Sequence, residues 1–238
     1  MTFRKAQRKE AKLRLALTGT SGSGKTYSAL KIAQGLGGMI AMIDTENGSG
    51  DLYSDMTNYD ISTLSAPYDP RKYIQLIHEA EQARYSTIII DSLSHAWSGE
   101  GGLLDLQHKL SETKYRGNSY AAWRDITPLQ NAFVDTLLAS PCHIIATMRS
   151  KTDYIQAENE RGRTEIRKVG LAPVQREGMD YEFTTVFDLS QEHLAIASKD
   201  RPGLFGGTPF TVDVHTGEIL RDWLNAGADT QKGGGSND

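Results

Sequence analysis

Gly19-Thr20-Ser21-Gly22-Ser23-Gly24-Lys25-Thr26 fits the pattern G-x-x-x-x-G-K-[ST] at every position. Its three glycines let the backbone curl so that successive N–H groups point inward and hold phosphate oxygens. Lys25 then reaches the β- and γ-phosphates as a catalytic cation, and the Thr26 hydroxyl is a ligand for Mg²⁺. Tyr27, the next residue, belongs with the nucleotide-contacting set. The bland alternative is a Gly-rich turn before a helix that binds nothing. What separates the two readings is context: the pattern must leave a strand and open a helix.

That context is present. Leu13 to Leu17 reads as a strand running into the loop. From Lys25 onward Ala29, Leu30, Ile32, Ala33 and Leu36 recur at helical spacing until Gly37-Gly38. Met39-Ile40-Ala41-Met42-Ile43 is a buried strand that delivers Asp44, Thr45 and Glu46 to its carboxyl end, the edge where parallel sheets bind ligands. A carboxylate there either orients and deprotonates the water that attacks a γ-phosphate or merely caps the following turn. Glu46 is assigned the catalytic role and Asp44 a structural one. Asp69-Pro70 starts a helix to about Arg84. Ser86 to Ser92 is then a β-branched run ending in Asp91, which carries a carboxylate to the Mg²⁺ coordination shell, usually through water.

Further along, Leu103, Leu106 and Leu110 suggest a helix, 115–120 a loop, and Ile126 to Leu138 another helix before Pro141. His143 to Met148 is the next strand, with Thr147 at its end as a γ-phosphate sensor. His95, His108 and His143 lack metal-ligand spacing and read as surface or satisfied histidines. The stretch Arg149–Arg176 holds seven basic residues against four acids. Its polar part, 156–162, is a hairpin tip or a loop. The whole is either a solvated segment or one that orders on single-stranded nucleic acid, with Tyr154 as a stacking residue. Tyr181–Leu189 and Leu194–Ala197 form a strand pair joined at Gln191-Glu192-His193. Phe210 to Val214 is a small strand followed by a turn, and Ile219–Leu224 a short helix.

Composition bounds the rest. The chain has 238 residues and a formal net charge of −4, so any nucleic-acid surface is local. No apolar run approaches the roughly 20 residues of a membrane span, and the N-terminus lacks a signal-peptide core. Cys142 is alone, which excludes an internal disulfide and suits a reducing compartment, so a cytoplasmic protein is expected. The first fourteen residues carry six basic side chains (Arg14 included) against Glu10. They are a solvated segment or a phosphate-contacting one. The organisation expected is a basic segment over 1–12, one α/β domain over 13–225, and a Gly-rich tail over 226–238.

In order, Gly19–Thr26, Met42 to Glu46, Thr87–Ser92, the basic stretch after 143–148 and Lys199-Asp200-Arg201 resemble the RecA-like recombinase ATPase core. The runs Val169 to Phe183 and Ser198 to Arg201 are similar to those of short phage-encoded RecA/Rad-like ATP-binding proteins of single-strand annealing and recombination. The resemblance covers about residues 2–225. It implies a P-loop NTPase fold with a mostly parallel central sheet flanked by helices and antiparallel C-terminal strands. ATP and Mg²⁺ are its cofactors. Glu46 is implied to activate the attacking water, and Lys199 and Arg201 to be a catalytic pair reaching a neighbouring subunit's γ-phosphate. A charge supplied in that way is worth about 10³–10⁵ in rate. The segment after Met148 corresponds to a DNA-binding loop, and Phe3 and Ala6 to an F-x-x-A polymerisation element. Two features depart from the pattern: Thr147-Met148-Arg149 stands where recombinases place a glutamine, and the extra terminal domains of full recombinases are not read in this sequence.

Three functions follow as expectations. The first is an ATPase that assembles as a ring or filament on single-stranded DNA, alone or with a single-strand-binding or recombination partner. The second is a nucleotide-switched adaptor, against which Glu46 argues. The third is a small-molecule kinase, against which the resemblance beyond Arg176 argues.

Overall fold

Alternation along the central strands dictates a three-layer molecule. In Thr87–Asp91 (β4), Ile88 and Ile90 face one side and Ile89 the other; in His143–Glu158 (β5), Ile144 and Ala146 oppose Ile145. Both faces are apolar, so both must be covered. The computed structural model describes residues 11–158 and 164–226, with the backbone alone at 152–158 and 164–171. The remaining strands are Arg14–Gly19 (β1), Ile40–Asp44 (β2), Asp60–Thr63 (β3), Thr164–Pro173 (β6), Thr185–Leu189 (β7), Leu194–Asp200 (β8) and Phe210–Thr211 (β9). They order as β3-β2-β4-β5-β1-β7-β8-β9, with β6 paired to β5. From β3 to β7 every neighbour is parallel, and β8 and β9 add antiparallel.

Helices fill the crossovers. Lys25–Leu36 (α1) and Val214–Asn225 (α7) cover one face, where Leu30, Ile32, Leu220 and Leu224 pack on Leu15, Leu17, Ile89 and Ile145. Pro70–Gln82 (α2) and Ser119–Ala139 (α5) cover the other, where Tyr73, Ile77, Phe133 and Leu137 meet Ile88, Ile90 and Ile144. The α1–α7 contact is glycine-bound on both sides: a Cβ on Gly35 would lie 2.1 Å from Val214 O, and one on Gly217 would lie 2.2 Å from Ile32 O. Ser94–Ser98 (α3) and Leu103–Thr113 (α4) complete the second face, with Met179–Glu182 (α6) preceding β7. No helix among the described residues is long and apolar enough to cross a membrane.

The expected α/β architecture is present, with several local corrections. Asp213 caps α7 through a reciprocal capping box with Thr216, so the helix begins at Val214 and absorbs the supposed turn at His215-Thr216-Gly217. That box overrides the β-branched run before it. The Asn118 side chain accepts from Ala121 N at 2.9 Å, so α5 starts within the expected loop and carries Pro128 inside it. A four-residue helix occupies 179–182, where Tyr181 was expected to open a strand. The arms of the basic stretch pair as the antiparallel β5–β6 hairpin, one of the two alternatives expected there, with a bulge at Asp153/Tyr154. Arg14 does not belong with a solvated basic run: it lies in β1 with 6% exposure, donating to the carbonyls of Leu13, Leu138, Ser140 and Cys142. Phe3, Ala6, the other basic residues before position 11, the hairpin tip at 159–163 and the tail from 227 lie outside the described residues, as does the side chain of Tyr154.

Candidate nucleotide site

The carboxyl ends of adjacent strands converge on one cavity. Asp44 is in register with Asp91 across β2 and β4, and Gly19 with Arg149 across β1 and β5. The loop between β1 and α1 turns through Gly22 and Gly24 at φ of 80° and 86°, values that L side chains disfavour. Gly19 is fixed by space instead, since a Cβ there would sit 2.3 Å from Ser23 Oγ and 2.9 Å from Leu189 O. Gly24 is the N-cap of α1, and no side chain caps the helix. Its first-turn N–H groups and the positive end of its dipole are left for an anion.

A cavity of about 970 Å³ opens onto this turn. Lys25, Thr26, Glu46, Asp91 and Arg149 share its wall, with Tyr27, Tyr53, His193 and Val212 also lining it. Of the sequence-predicted set, Ser21, Gly22, Gly24, Lys25, Thr26, Tyr27, Glu46 and Asp91 line it, while Gly19, Thr20 and Ser23 support the turn. Lys25 Nζ donates to Gly19 O at 3.0 Å and Thr20 O at 2.7 Å, two carbonyls of the loop itself. Burial pushes its pKa down, against the pull of Asp91 and Glu46.

Asp91 is the most enclosed of these groups. Its Oδ2 accepts from Thr26 Oγ1 at 2.5 Å and its Oδ1 from Thr147 Oγ1 at 2.5 Å. Burial pushes the carboxyl above its usual range, and the two hydroxyls pull the other way. Thr147 thus contacts the carboxylate rather than standing free as a phosphate sensor. Strand β5 lies between β1 and β4, so the loop and Asp91 meet across an intervening strand that supplies Thr147. An adjacent hydroxyl and buried carboxylate form a hard oxygen donor pair, which suits Mg²⁺ completed by phosphate and water oxygens. No cluster of three or more His, Cys, Asp or Glu suited to a metal occurs among the described residues.

Of the two roles weighed at the end of β2, the capping one falls to Asp44. Asp44 is fully buried, its Oδ1 accepting from Glu46 N at 2.6 Å and its Oδ2 from Gly50 N at 3.3 Å, so Asp44 does the capping. The Glu46 side chain is left to face the cavity, where Arg149 holds it: Nε donates to Oε1 at 3.0 Å and Nη2 to Oε2. Burial alone would raise the Glu46 carboxyl, but the Arg149 hydrogen bond and charge bring it below its ordinary value. Beside it, Thr45 Oγ1 is 2.7 Å from His95 Nδ1, and the His95 ring stacks on Tyr68 with centroids 4.7 Å apart. His95 is therefore satisfied, as expected, but stands close to Glu46. His143 is also satisfied, accepting from Leu13 N at 3.0 Å, and His108 is exposed.

Sequence reasoning missed three neighbours of the site. Arg149 was counted in a basic segment and in the run that replaces the recombinase glutamine, not as a partner of Glu46, although it is the first residue beyond the apolar end of a core strand, where site residues gather. Gln191 donates to Thr20 Oγ1 and, at 2.9 Å, to Ser21 O, so the β7–β8 turn straps the phosphate loop. The His193 ring sits over Gly24, 3.2 Å from where a Cβ would be. No local pattern marks either residue; only the pairing of β7 with β1 brings them there.

Lys199 and Arg201 are elsewhere. Strand β8 runs antiparallel to β7 with Asp200 opposite Thr185, and Thr185 is opposite Leu15, so this pair lies at the end of the sheet away from Gly19. Lys199 Nζ donates to Asp180 O at 3.0 Å and Tyr181 O at 2.6 Å. Within one chain neither residue reaches the cavity.

Comparison with curated proteins returns no match. A family model described as "AAA domain" matches residues 11–201, from the start of the described chain through β8 and across every wall of the cavity except β9 and its flank. That span is most of the sequence, and with the fold of a P-loop NTPase around a complete phosphate loop, the chain belongs to the AAA domain family of nucleotide-binding ATPases.

Proposed function

We propose that this chain is a RecA-like ATPase that assembles on single-stranded DNA to support recombination or strand annealing, as the resemblance to phage proteins of that kind implies. The observation that carries the hydrolytic part is the separation of roles at the end of β2. Asp44 caps the turn, while Glu46 shares one cavity with Lys25, Thr26 and Asp91. The carboxylate comes from β2 rather than from the position after Asp91, which is Ser92. That is the placement the recombinase resemblance implies.

In this reading the N–H groups of the loop and of the first turn of α1 hold the phosphates. Lys25 exchanges its two carbonyl partners for β- and γ-phosphate oxygens. Thr26 and Asp91 would hold Mg²⁺, which would supply positive charge to the phosphate oxygens. Glu46 takes a proton from water as its oxygen bonds to the γ-phosphorus; the bond to the bridging oxygen breaks and ADP leaves with that electron pair. Arg149 must loosen its grip for Glu46 to accept the proton. Tyr27, His193 and Val212 provide the less polar wall where the base fits.

Assembly enters through Lys199 and Arg201. Their position at the far end of the sheet requires any contact with a γ-phosphate to be with that of another subunit. The stretch Arg149–Arg176 carries seven basic residues against four acids, a surplus that favours nucleic acid over a metabolite as the second ligand.

The test is ATP hydrolysis with and without single-stranded DNA across a salt series. Stimulation that fades steeply with salt is expected. ATP binding with no response to DNA would replace this reading with the nucleotide-switched adaptor. Mixing inactive Lys25→Ala chains with Lys199→Ala or Arg201→Ala chains tests the trans contact, because activity should return in the mixture. Failure of every mixture, with a monomeric enzyme, removes that contact.

A further inference from the structure

A second cleft has a chemistry the nucleotide site does not use. Trp97, Tyr115, Tyr120, Trp123, Arg124 and Arg176 line a groove of about 980 Å³ beside the base of the β5–β6 hairpin. Trp97 of α3 and Trp123 of α5 stack with centroids 5.8 Å apart and planes 21° from parallel. The Arg176 guanidinium lies 6.0 Å from the centre of the Trp123 ring. Tyr120, at the start of α5, is 89% exposed. No carboxylate is among the described residues lining the groove, and Asp125, which follows Arg124, is tied to Lys114 at 2.5 Å.

These features select a ligand class. A groove built for an amphipathic partner helix presents mainly aliphatic anchors; here the only aliphatic surface comes from Ala121 and Pro128. An exposed tyrosine and a half-buried tryptophan pair, with two arginines and no acid, suit planar rings strung on an anionic backbone. Paired bases in a duplex do not offer their faces, whereas a single strand does. We propose that this groove binds single-stranded nucleic acid, with bases stacked on Tyr120 and the Trp97–Trp123 pair and phosphates met by Arg124 and Arg176. The proposal rests on the DNA reading above and gives it a site apart from the hairpin tip.

The groove is also wired to the nucleotide cavity. Helix α3 holds Trp97 in the groove and His95 against Thr45, next to Glu46. Gln175, beside Arg176, donates to Leu93 O at 3.1 Å, two residues beyond Asp91. Arg149 N donates to Ser94 Oγ at 2.9 Å. A strand seated in the groove therefore bears on the same five-residue helix that abuts Asp91, Glu46 and Arg149.

The test is tryptophan emission of the full chain during titration with oligothymidylate at low salt. Quenching is expected, smaller in Trp123→Phe. Tyr120→Ala and Arg124→Glu, both at exposed positions where the fold is not at risk, should each weaken binding by about tenfold or more. Full-affinity binding by both variants with unmoved emission overturns the groove while leaving the DNA reading intact, and is also the result if a protein occupies it. Inorganic polyphosphate competing as well as the oligonucleotide would show charge acting without stacking, and likewise overturns it. A wild-type chain that binds no single strand at any salt ends both the groove assignment and the DNA reading.

Discussion

The two ends of the parallel sheet treat charge in opposite ways. At the amino end, Arg14 is held by four backbone carbonyls through its two terminal nitrogens, and burial lowers its pKa to about 10. His143 beside it is held neutral as the acceptor for Leu13 N. These groups have their final partners. At the carboxyl end, Lys25 sits on loop carbonyls and Glu46 on Arg149, partners that a nucleotide and its attacking water would displace. Satisfied charge holds the strands together, and exchangeable charge is what a binding site needs. Arg14 and Lys25 both hold backbone carbonyls, so what tells them apart is place: Lys25 and Glu46 line an open cavity, and Arg14 is enclosed.

If that contrast is right, substitutions at the carboxyl end change turnover and leave the fold in place. The largest effect is expected from Lys25→Ala, which removes a cation aimed at the transferring phosphoryl group. Hydrolysis should fall by about 10²–10³ or more, with nucleotide binding lost and the thermal midpoint kept. Tight ATP binding by that variant would overturn the phosphate-loop assignment. Glu46→Gln should still bind ATP and lose about 10²–10⁴ in turnover, measured as single-turnover phosphate release. Undiminished release would move the base to another residue.

At the amino end the same logic predicts a stability effect with a pH window. Burial holds the folded-state pKa of His143 at about 4, against 6.5 as the ordinary value. A depressed value means the neutral ring stabilises the fold fully above pH of about 6.5, and that share drains away as pH falls toward 4. The amount at stake is up to about 3 kcal/mol. Urea unfolding of the wild type should therefore weaken over this interval, while His143→Gln should show a flatter profile from a lower starting stability. Equal slopes in the two proteins would mean that the ring is not held neutral.

Much of the site was legible because local sequence rules act locally. The strand–loop–helix around Lys25, the Asp69-Pro70 start of α2 and the apolar runs ending at Asp44 and Asp91 depend on neighbours within a turn or two. What was illegible depends on pairing between distant segments. Arg14 looked like one of six cations in a basic run, and only the packing of the α5–β5 turn against β1 shows that it is a buried carbonyl clamp. Gln191 and His193 became part of the loop's surroundings because β7 pairs with β1. The start of α7 was missed for another reason: a capping box at Asp213 and a glycine-to-glycine helix contact outweighed the β-propensity of Val214. The Trp97–Trp123 groove joins α3 to the first turns of α5, neither of which apolar spacing marks as helical.

The smallest predicted effect bears most directly on the exchangeable pair. Arg149 lowers the Glu46 carboxyl by hydrogen bond and charge, while burial acts the other way. Removing the guanidinium in Arg149→Ala leaves burial opposed only by the smaller pulls of His95 and Ser92, so Glu46 should become harder to ionise. A base must be ionised to take a proton from water, so the acid limb of the turnover profile should move to higher pH. Arg149→Lys keeps a charge but loses the two-pronged fork, and its limb should move less. The pair is partly exposed, which limits the change to about 1 kcal/mol. If the limb stays where it is in both variants, then either Glu46 is not the proton acceptor or Arg149 has already left it when ATP is bound. A crystal structure of the Glu46→Gln variant with ATP separates these: Arg149 turned onto the phosphate means that the ion pair guards the resting site, and Arg149 still on residue 46 moves the base elsewhere.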